Sequence, residues 1–300
     1  KPALLPMIRL DRAGPAPETA LDDPAVANRT LRDLTDLLRA SDATGACLDV
    51  EPFSTLELAA LTPFLQRFQR TFRAQGLETC LVLPGDGAAW QDQALTGSFD
   101  RIVLRLFRSA WVGSVPGPTA DAAWFEDTTR RALAALGPER LVVALGNFAV
   151  DWPTGQPLPE RLSYAEIASR AAKAGAELRF SPEAGNSFVA YADADGARHR
   201  AWILDAASAY NQLRMLAELG VPNVAIWSLG SEDPGLWPLL ASDLHNPADV
   251  MAALADVQLA THVQYRGEGA FLRVVSGPRT GQRRITFSPA ADRIASVDYA

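Results

Sequence analysis

The stretch "GACLDVEPF", residues 45–53, closes an apolar, strand-like run on two acids, Asp49 and Glu51. Carboxylates in a buried strand are costly unless they are paired or at work. Residues i and i+2 of a strand face the same way, so Cys47, Asp49 and Glu51 share one side. Two carboxylates so spaced stand roughly 6–7 Å apart. One can then donate a proton while the other orients a reacting group. The same pair could equally be a loop-capping Asp and a Glu held by an arginine. A second stretch, "NVAIWSLGSEDPGLW" (223–237), ends a buried run in Trp227, followed by a Gly–acid loop and another tryptophan. An indole at a strand end either packs into the core or offers a ligand a flat apolar platform.

The elements that must position these residues are legible as alternating short apolar runs and longer amphipathic stretches. Strand candidates are 4–10, 45–51, 78–84, 101–107, 141–149 and 223–229. Their nearly continuous hydrophobicity suits parallel strands covered on both faces. Ser54-x-x-Glu57 and Ser163-x-x-Glu166 are capping boxes, and Gly76, Gly137, Gly175 and Gly220 stand where helices stop. Leu31, Leu34, Leu37 and Leu38 form one apolar helix face, and Phe64, Leu65, Phe68 and Phe72 another. Repeated strand–helix units give a parallel sheet, as a (β/α) barrel or an open doubly wound sheet. Residues 178–205 break the rhythm as short antiparallel strands around a "DADG" turn. Expected domains are a barrel over 1–260, with the insertion at about 178–205, and a strand-rich appendage over 261–300.

With 300 residues, 48% hydrophobic and 21% charged, the chain reads as globular. A net charge of −7 without a basic stripe argues against a nucleic-acid or anionic-membrane partner. No apolar run approaches the roughly 20 residues of a membrane helix, and the N-terminal stretch is too short for a signal peptide. Cys47 and Cys80 fall in strand-like runs and read as buried small hydrophobes rather than a disulfide or a metal site. His199, His245 and His262 show no ligand spacing, so no metal is expected. "GPRTGQ" (277–282) lacks the Lys-Ser/Thr ending of a phosphate loop and reads as a hairpin turn. Without a nucleophile elbow or a dinucleotide fingerprint, neither an α/β-hydrolase nor a cofactor-dependent enzyme is favoured, and no cofactor is expected.

Taken together, the acids of 45–53 and the tryptophan motif of 223–237 resemble glycoside hydrolase family 18, the chitinase-like TIM barrels. In that family the fourth strand carries DGxDxDxE, and the eighth ends in a tryptophan that floors the sugar site. "WSLGSEDPGLW", "LVVALGNFAVDW" and "HRAWILDAASAYNQ" are similar to segments of family 18 domains in bacterial multidomain proteins that also carry polysaccharide deacetylase and glycosyltransferase modules. The resemblance runs from about residue 4 to the tail. It implies a TIM-type (β/α) barrel lacking its first two strand–helix units, with a small antiparallel insertion and a C-terminal β appendage. It also implies a retaining glycosidase acting on N-acetylhexosamine polysaccharide, outside the cytoplasm. Glu51 would protonate the glycosidic oxygen and Asp49 would orient the substrate's 2-acetamido group, which itself attacks the anomeric carbon. Trp227 would floor the sugar, with Phe107, Arg105, Asn147, Asp151 and Trp152 in substrate-binding places.

The pattern is incomplete. Thr44 and Cys47 replace acidic or amide positions of the fourth-strand motif. "RLFR" puts Arg105, Phe107 and Arg108 where the family has Met-x-Tyr-Asp, and Phe107 cannot offer the tyrosine's hydroxyl. Phe148 and Val150 replace the tyrosines of "GNYxYDW". Arg105 shares a face with Phe107 and should point inward. A cation there would favour ionised Glu51, opposite to a donor's need, or pair with Asp49 instead. A second reading is therefore a catalytically attenuated glycan-binding or scaffolding domain. A third is an unrelated α/β barrel for another metabolite.

Overall fold

The computed structural model describes residues 3–10, 21, 23–50, 54–111, 113–155, 158–246, 248–250 and 252–253, and four C-terminal strands within 263–299. Glu51, and residues 277–280 of the "GPRTGQ" turn, lie outside the described residues. The chain divides into two compact units. Residues 1–106, 129–144 and 221–225 form the first, and residues 107–128, 145–220 and 226–300 the second.

The parallel sheet runs β1 (Met7–Arg9), β2 (Gly45–Asp49), β3 (Glu78–Pro84), β4 (Arg101–Arg105), β5 (Leu141–Gly146) and β11 (Val224–Trp227) in spatial order, and all of it belongs to the first unit except the last two residues of β5 and of β11. β1 to β5 pair in parallel. The bond from Val143 N–H to Asn223 O sets β11 beside β5. Helices α1 (Pro24–Ala40) and α2 (Thr55–Arg73), the short α3 (Gln93–Thr96) and α4 (Ala122–Leu136) form the crossovers. This is the strand–helix half-barrel of a TIM-type fold, which the family resemblance implied and the apolar runs alone left beside an open doubly wound sheet. Leu48, Leu81, Ile102 and Leu104 are fully buried, and Phe68, on α2, meets Phe72 edge-on at 4.2 Å and Phe99 at 6.3 Å. On α1 the buried stripe is Ala27, Leu31, Thr35 and Leu38. Leu37, expected in that stripe, is 59% exposed. Thr35 is tolerated inside because its hydroxyl donates to Leu31 O at 2.8 Å.

The capping boxes form as read. Ser54 Oγ accepts from Glu57 N–H at 3.4 Å, and Glu57 Oε2 accepts from Ser54 N–H at 2.6 Å. Ser163 and Glu166 repeat the exchange, which holds the Glu166 carboxyl below its ordinary range. Gly76 ends α2 with φ of 71°, a left-handed conformation a side chain resists, and Leu77 N–H then reaches back to Phe72 O.

Two expectations are corrected. Residues 141–149 are two strands, not one: β5 stops at Gly146, and β6 (Ala149–Pro153) starts in another sheet. A Cβ at Gly146 would sit 2.7 Å from Leu204 and 3.0 Å from Phe107 and Phe148, so only glycine passes there. Continuous hydrophobicity hides such a change of sheet. The second correction concerns the cysteines, which form a disulfide. Cys47 and Cys80 are direct register partners on β2 and β3, and that pairing is invisible from their spacing.

The second unit carries a five-stranded antiparallel sheet, ordered β7 (Glu160–Leu162), β6, β10 (Arg198–Ile203), β9 (Asn186–Ala192), β8 (Arg179–Ser181). The insertion sheet thus begins at Ala149. The "DADG" segment turns β9 into β10, with Asp193 Oδ1 accepting from Asp195 and Ala197 N–H. Helix α5 (Tyr164–Lys173) lays Ile167 and Ala171 on Ala149, Val189, Ala201 and Ile203. Helices α6 (Ala206–Glu218) and α7 (Leu236–Ala241) follow in sequence, and β12 (Val263–Glu268), β13 (Phe271–Ser276), β14 (Gly281–Ser288) and β15 (Arg293–Tyr299) form an antiparallel meander.

The disulfide closes a sequence separation of 33 residues. Its removal by Cys47→Ala with Cys80→Ala should lower unfolding free energy by roughly 3–4 kcal/mol in the chain-entropy model. Denaturant melts of the oxidised, reduced and doubly substituted protein check this, the last two coinciding. Peptide mapping that recovers two alkylatable thiols without reductant would refute the bond.

Candidate active site

Asp49 is the last residue of β2 and is fully buried, in a strand whose alternate positions pack the core. Its register partner on β1 is Arg9. Arg9 donates from Nε at 3.3 Å and from Nη2 at 3.2 Å to Asp49 Oδ2. Arg105 ends β4, where it pairs with Pro84 at the end of β3, and its Nη2 lies 3.7 Å from Asp49 Oδ1. One carboxylate therefore stands between two guanidiniums, one at each oxygen. The two cations differ in setting: the Arg105 side chain is 4% exposed and that of Arg9 59%. The buried partner feels a lower dielectric, so its attraction to Asp49 is the less screened of the two. Of the alternatives for Arg105, the described residues give the pairing with Asp49.

The remaining candidate residues lie in the second unit. Phe107 packs edge-to-face on Phe148, centroids 5.0 Å apart. The Arg161 guanidinium covers Phe148 at 3.8 Å and donates to Ser228 Oγ at 3.3 Å. Asn147 N–H donates to Trp227 O at 3.2 Å, and Asn147 Nδ2 donates to Ser228 O at 2.9 Å. Asn147 Oδ1 is buried without a hydrogen-bond partner among the described residues, an acceptor of the kind a ligand N–H or O–H satisfies. Trp227 is half-buried. Its loop is tied by Asp233, whose buried carboxylate accepts from Ala206 and Gly235 N–H, and by Glu232, which accepts from Trp237 Nε1 at 3.2 Å. Arg108 pairs with Asp121 and covers the Trp124 ring.

Asp151 is a hub of the insertion sheet. Its Oδ2 accepts from Tyr191 Oη at 2.5 Å and from Arg170 Nη1 at 3.3 Å, with His199 Nδ1 at 2.9 Å. Arg170 also grips Glu160 at 2.8 and 3.1 Å, which raises the guanidinium's own value further. Burial, joined by the bond to Asp151, pushes the Tyr191 phenol up to about 12. Trp152 donates from Nε1 to Ser114 Oγ at 3.1 Å. Asp151 and Trp152, neighbours in sequence, thus serve opposite faces of one sheet. Arg9, Arg170, Tyr191 and His199 escaped the sequence reading. Only a parallel register for 4–10 against 45–51 could have exposed Arg9. Among the described residues no cluster of three or more His, Cys, Asp or Glu could hold a metal ion.

No protein-family model matches the chain. Over 230 residues it is 23% identical to YdhD of Bacillus subtilis, which carries the name of a sporulation-specific glycosylase. The match covers 73% of this chain, and the chain spans only 55% of that relative. A chitinase from Chromobacterium violaceum superposes with a TM-score of 0.70 at 20% identity, over 80% of this chain and 79% of the other. A class V chitinase of Nicotiana tobaccum in complex with NAG4 gives 0.63 at 14% identity, over 78% and 77%. The chain has the fold of these chitinase-like barrels, as the sequence resemblance implied.

Removing one partner of a buried ion pair leaves an uncompensated charge. Asp49→Asn should therefore cost about 3–5 kcal/mol, and Arg105→Met in the same chain should recover part of it. A double-mutant cycle by denaturant unfolding measures the coupling, and simple additivity would contradict the pairing. For Tyr191, the folded value lies above the ordinary value of about 10, so its contribution is whole below that pH and is lost as pH rises through about 12. Alkaline absorbance titration should show a last phenolate step that Tyr191→Phe lacks.

Proposed function

We propose that the chain is a retaining glycosidase of the family 18 type, acting on polysaccharide with N-acetylhexosamine units. The observation that carries this reading is a buried carboxylate, Asp49, ending the second strand of a parallel (β/α) sheet, two residues before Glu51, in a chain with the chitinase-like fold. Strand ends of this kind are where barrels keep their chemistry. Glu51 as carboxylic acid gives its proton to the glycosidic oxygen while the substrate's acetamido carbonyl oxygen bonds to the anomeric carbon and the leaving sugar departs. Water then opens the resulting oxazolinium from the opposite face, its proton returning to Glu51, so configuration is retained. Asp49 accepts from the acetamido N–H and holds that group in line. Trp227 would floor a sugar by the family resemblance, and within its own unit the open acceptor Asn147 Oδ1 supports ligand binding beside it. The Cys47–Cys80 disulfide supports an extracytoplasmic location.

A specific observation favours the second reading, a glycan-binding or scaffolding domain beside deacetylase or glycosyltransferase modules. Asp49 is engaged by Arg9 and Arg105, and Phe107 turns to Phe148 where the family has a hydroxyl. A carboxylate held by two cations is less available to a substrate N–H. Losing one hydrogen bond to the reacting group costs about 1–3 kcal/mol, roughly ten- to hundredfold in rate.

With a fluorogenic N-acetylglucosamine oligomer, Glu51→Gln should cut turnover by about a hundredfold or more. Unchanged turnover would sink the glycosidase reading. Wild-type protein that binds the oligomer without product, and gains turnover on Arg105→Met, would establish the second reading.

A further inference from the structure

The second unit holds a cavity of about 750 Å³ on the face of the insertion sheet opposite α5. Three strands meet there in register. On β10, Arg200 stands between Ala190 of β9 and Trp152 of β6, and Arg198 stands beside Ala192, with its carbonyl accepting from Thr154 N–H. The alanines leave the space beside the arginines open. Ser114 Oγ accepts from Trp111 N–H and from Trp152 Nε1, which fastens the 114–116 wall of the cavity to the indole.

Both arginines are exposed, and no carboxylate pairs with either among the described residues. Their orientation is held from behind. His199 lies between them in sequence and points to the opposite face, where Asp151 and Asp193 take its two ring nitrogens at 2.9 and 3.3 Å. With His199 anchored, alternation holds its two neighbours on the cavity side. In a chain of net charge −7, two adjacent unpaired guanidiniums over an apolar floor are a local exception.

We propose that this cavity binds the carboxylate of an acidic saccharide, a uronate or a lactyl- or peptide-bearing amino sugar. The floor of Trp152, Ala190 and Ala192 takes the apolar face of a pyranose ring, and the forks of Arg198 and Arg200 take the carboxylate oxygens in paired hydrogen bonds. The proposal rests on the reading that the chain takes glycans but not on its cleaving them. It adds a selectivity for acidic sugars, housed wholly in the insertion sheet and its 114–116 wall.

Calorimetric titration at low ionic strength tests it with three probes: hyaluronan tetrasaccharide, which carries uronates, muramyl dipeptide, which carries lactyl and peptide groups, and neutral chitotetraose. At least one acidic probe should bind about tenfold or more tighter than chitotetraose, and the one preferred identifies the source of the carboxylate. Arg198→Met and Arg200→Met, exposed substitutions whose folding is checked by thermal melts, should each erase that preference and leave chitotetraose affinity unchanged. Equal affinity for all three probes, or a preference that survives both substitutions, overturns the proposal. Loss of chitotetraose turnover alone would instead strike the glycosidase reading and leave this one standing.

Discussion

A carboxylate removed from water must be given compensating charge or donors, and Asp49 meets that demand with cations from two strands. Arg9 reaches it from β1 and Arg105 from β4, although β3 lies between β2 and β4. The cluster therefore needs the parallel order of the sheet to be correct over four strands. A slip of one residue in any pairing would turn a charged side chain to the other face and leave a partner buried alone. The Cys47–Cys80 bond lies two residues before Asp49, on the same side of β2, and ties that strand to β3 covalently. Apolar packing gives the sheet its stability, while the charged cluster makes one register far better than its neighbours.

The insertion sheet solves a comparable problem differently. Asp151 is as buried as Asp49, yet it is held by a phenol, an imidazole and a guanidinium rather than by two cations. Those donors come from β9, β10 and α5, so the hub clamps the layer from its helix side. On the opposite face Arg198 and Arg200 are left exposed. A sheet fixed on one face can present a stable array on the other, a general route by which an inserted element acquires a binding role of its own.

Particular residues show how far the sequence could be read. The run at 78–84, the run at 101–107 as far as Arg105, both capping boxes and the helix-stopping glycines follow from local chemistry, because propensity and capping act over a few residues. The run at 141–149 misled, since Gly146 is needed for a crowded approach by Leu204 and Phe148, residues distant or unremarkable in sequence. Leu37 and Thr35 exchanged places because a helix face is set by what packs on it, and a hydroxyl can satisfy itself on the preceding turn.

Residue order by itself determined the strand–helix alternation, the resemblance to chitinase-like barrels, and the placing of Asp49 at the end of a buried strand. Tertiary structure alone decided that Arg105 faces Asp49, that Arg9 joins it, that Cys47 meets Cys80, and that Arg200 stands beside Trp152. The reason is physical. Periodicity reports which side of an element a residue occupies, whereas charge pairing and disulfide formation depend on register between elements, which is set by packing across the whole sheet.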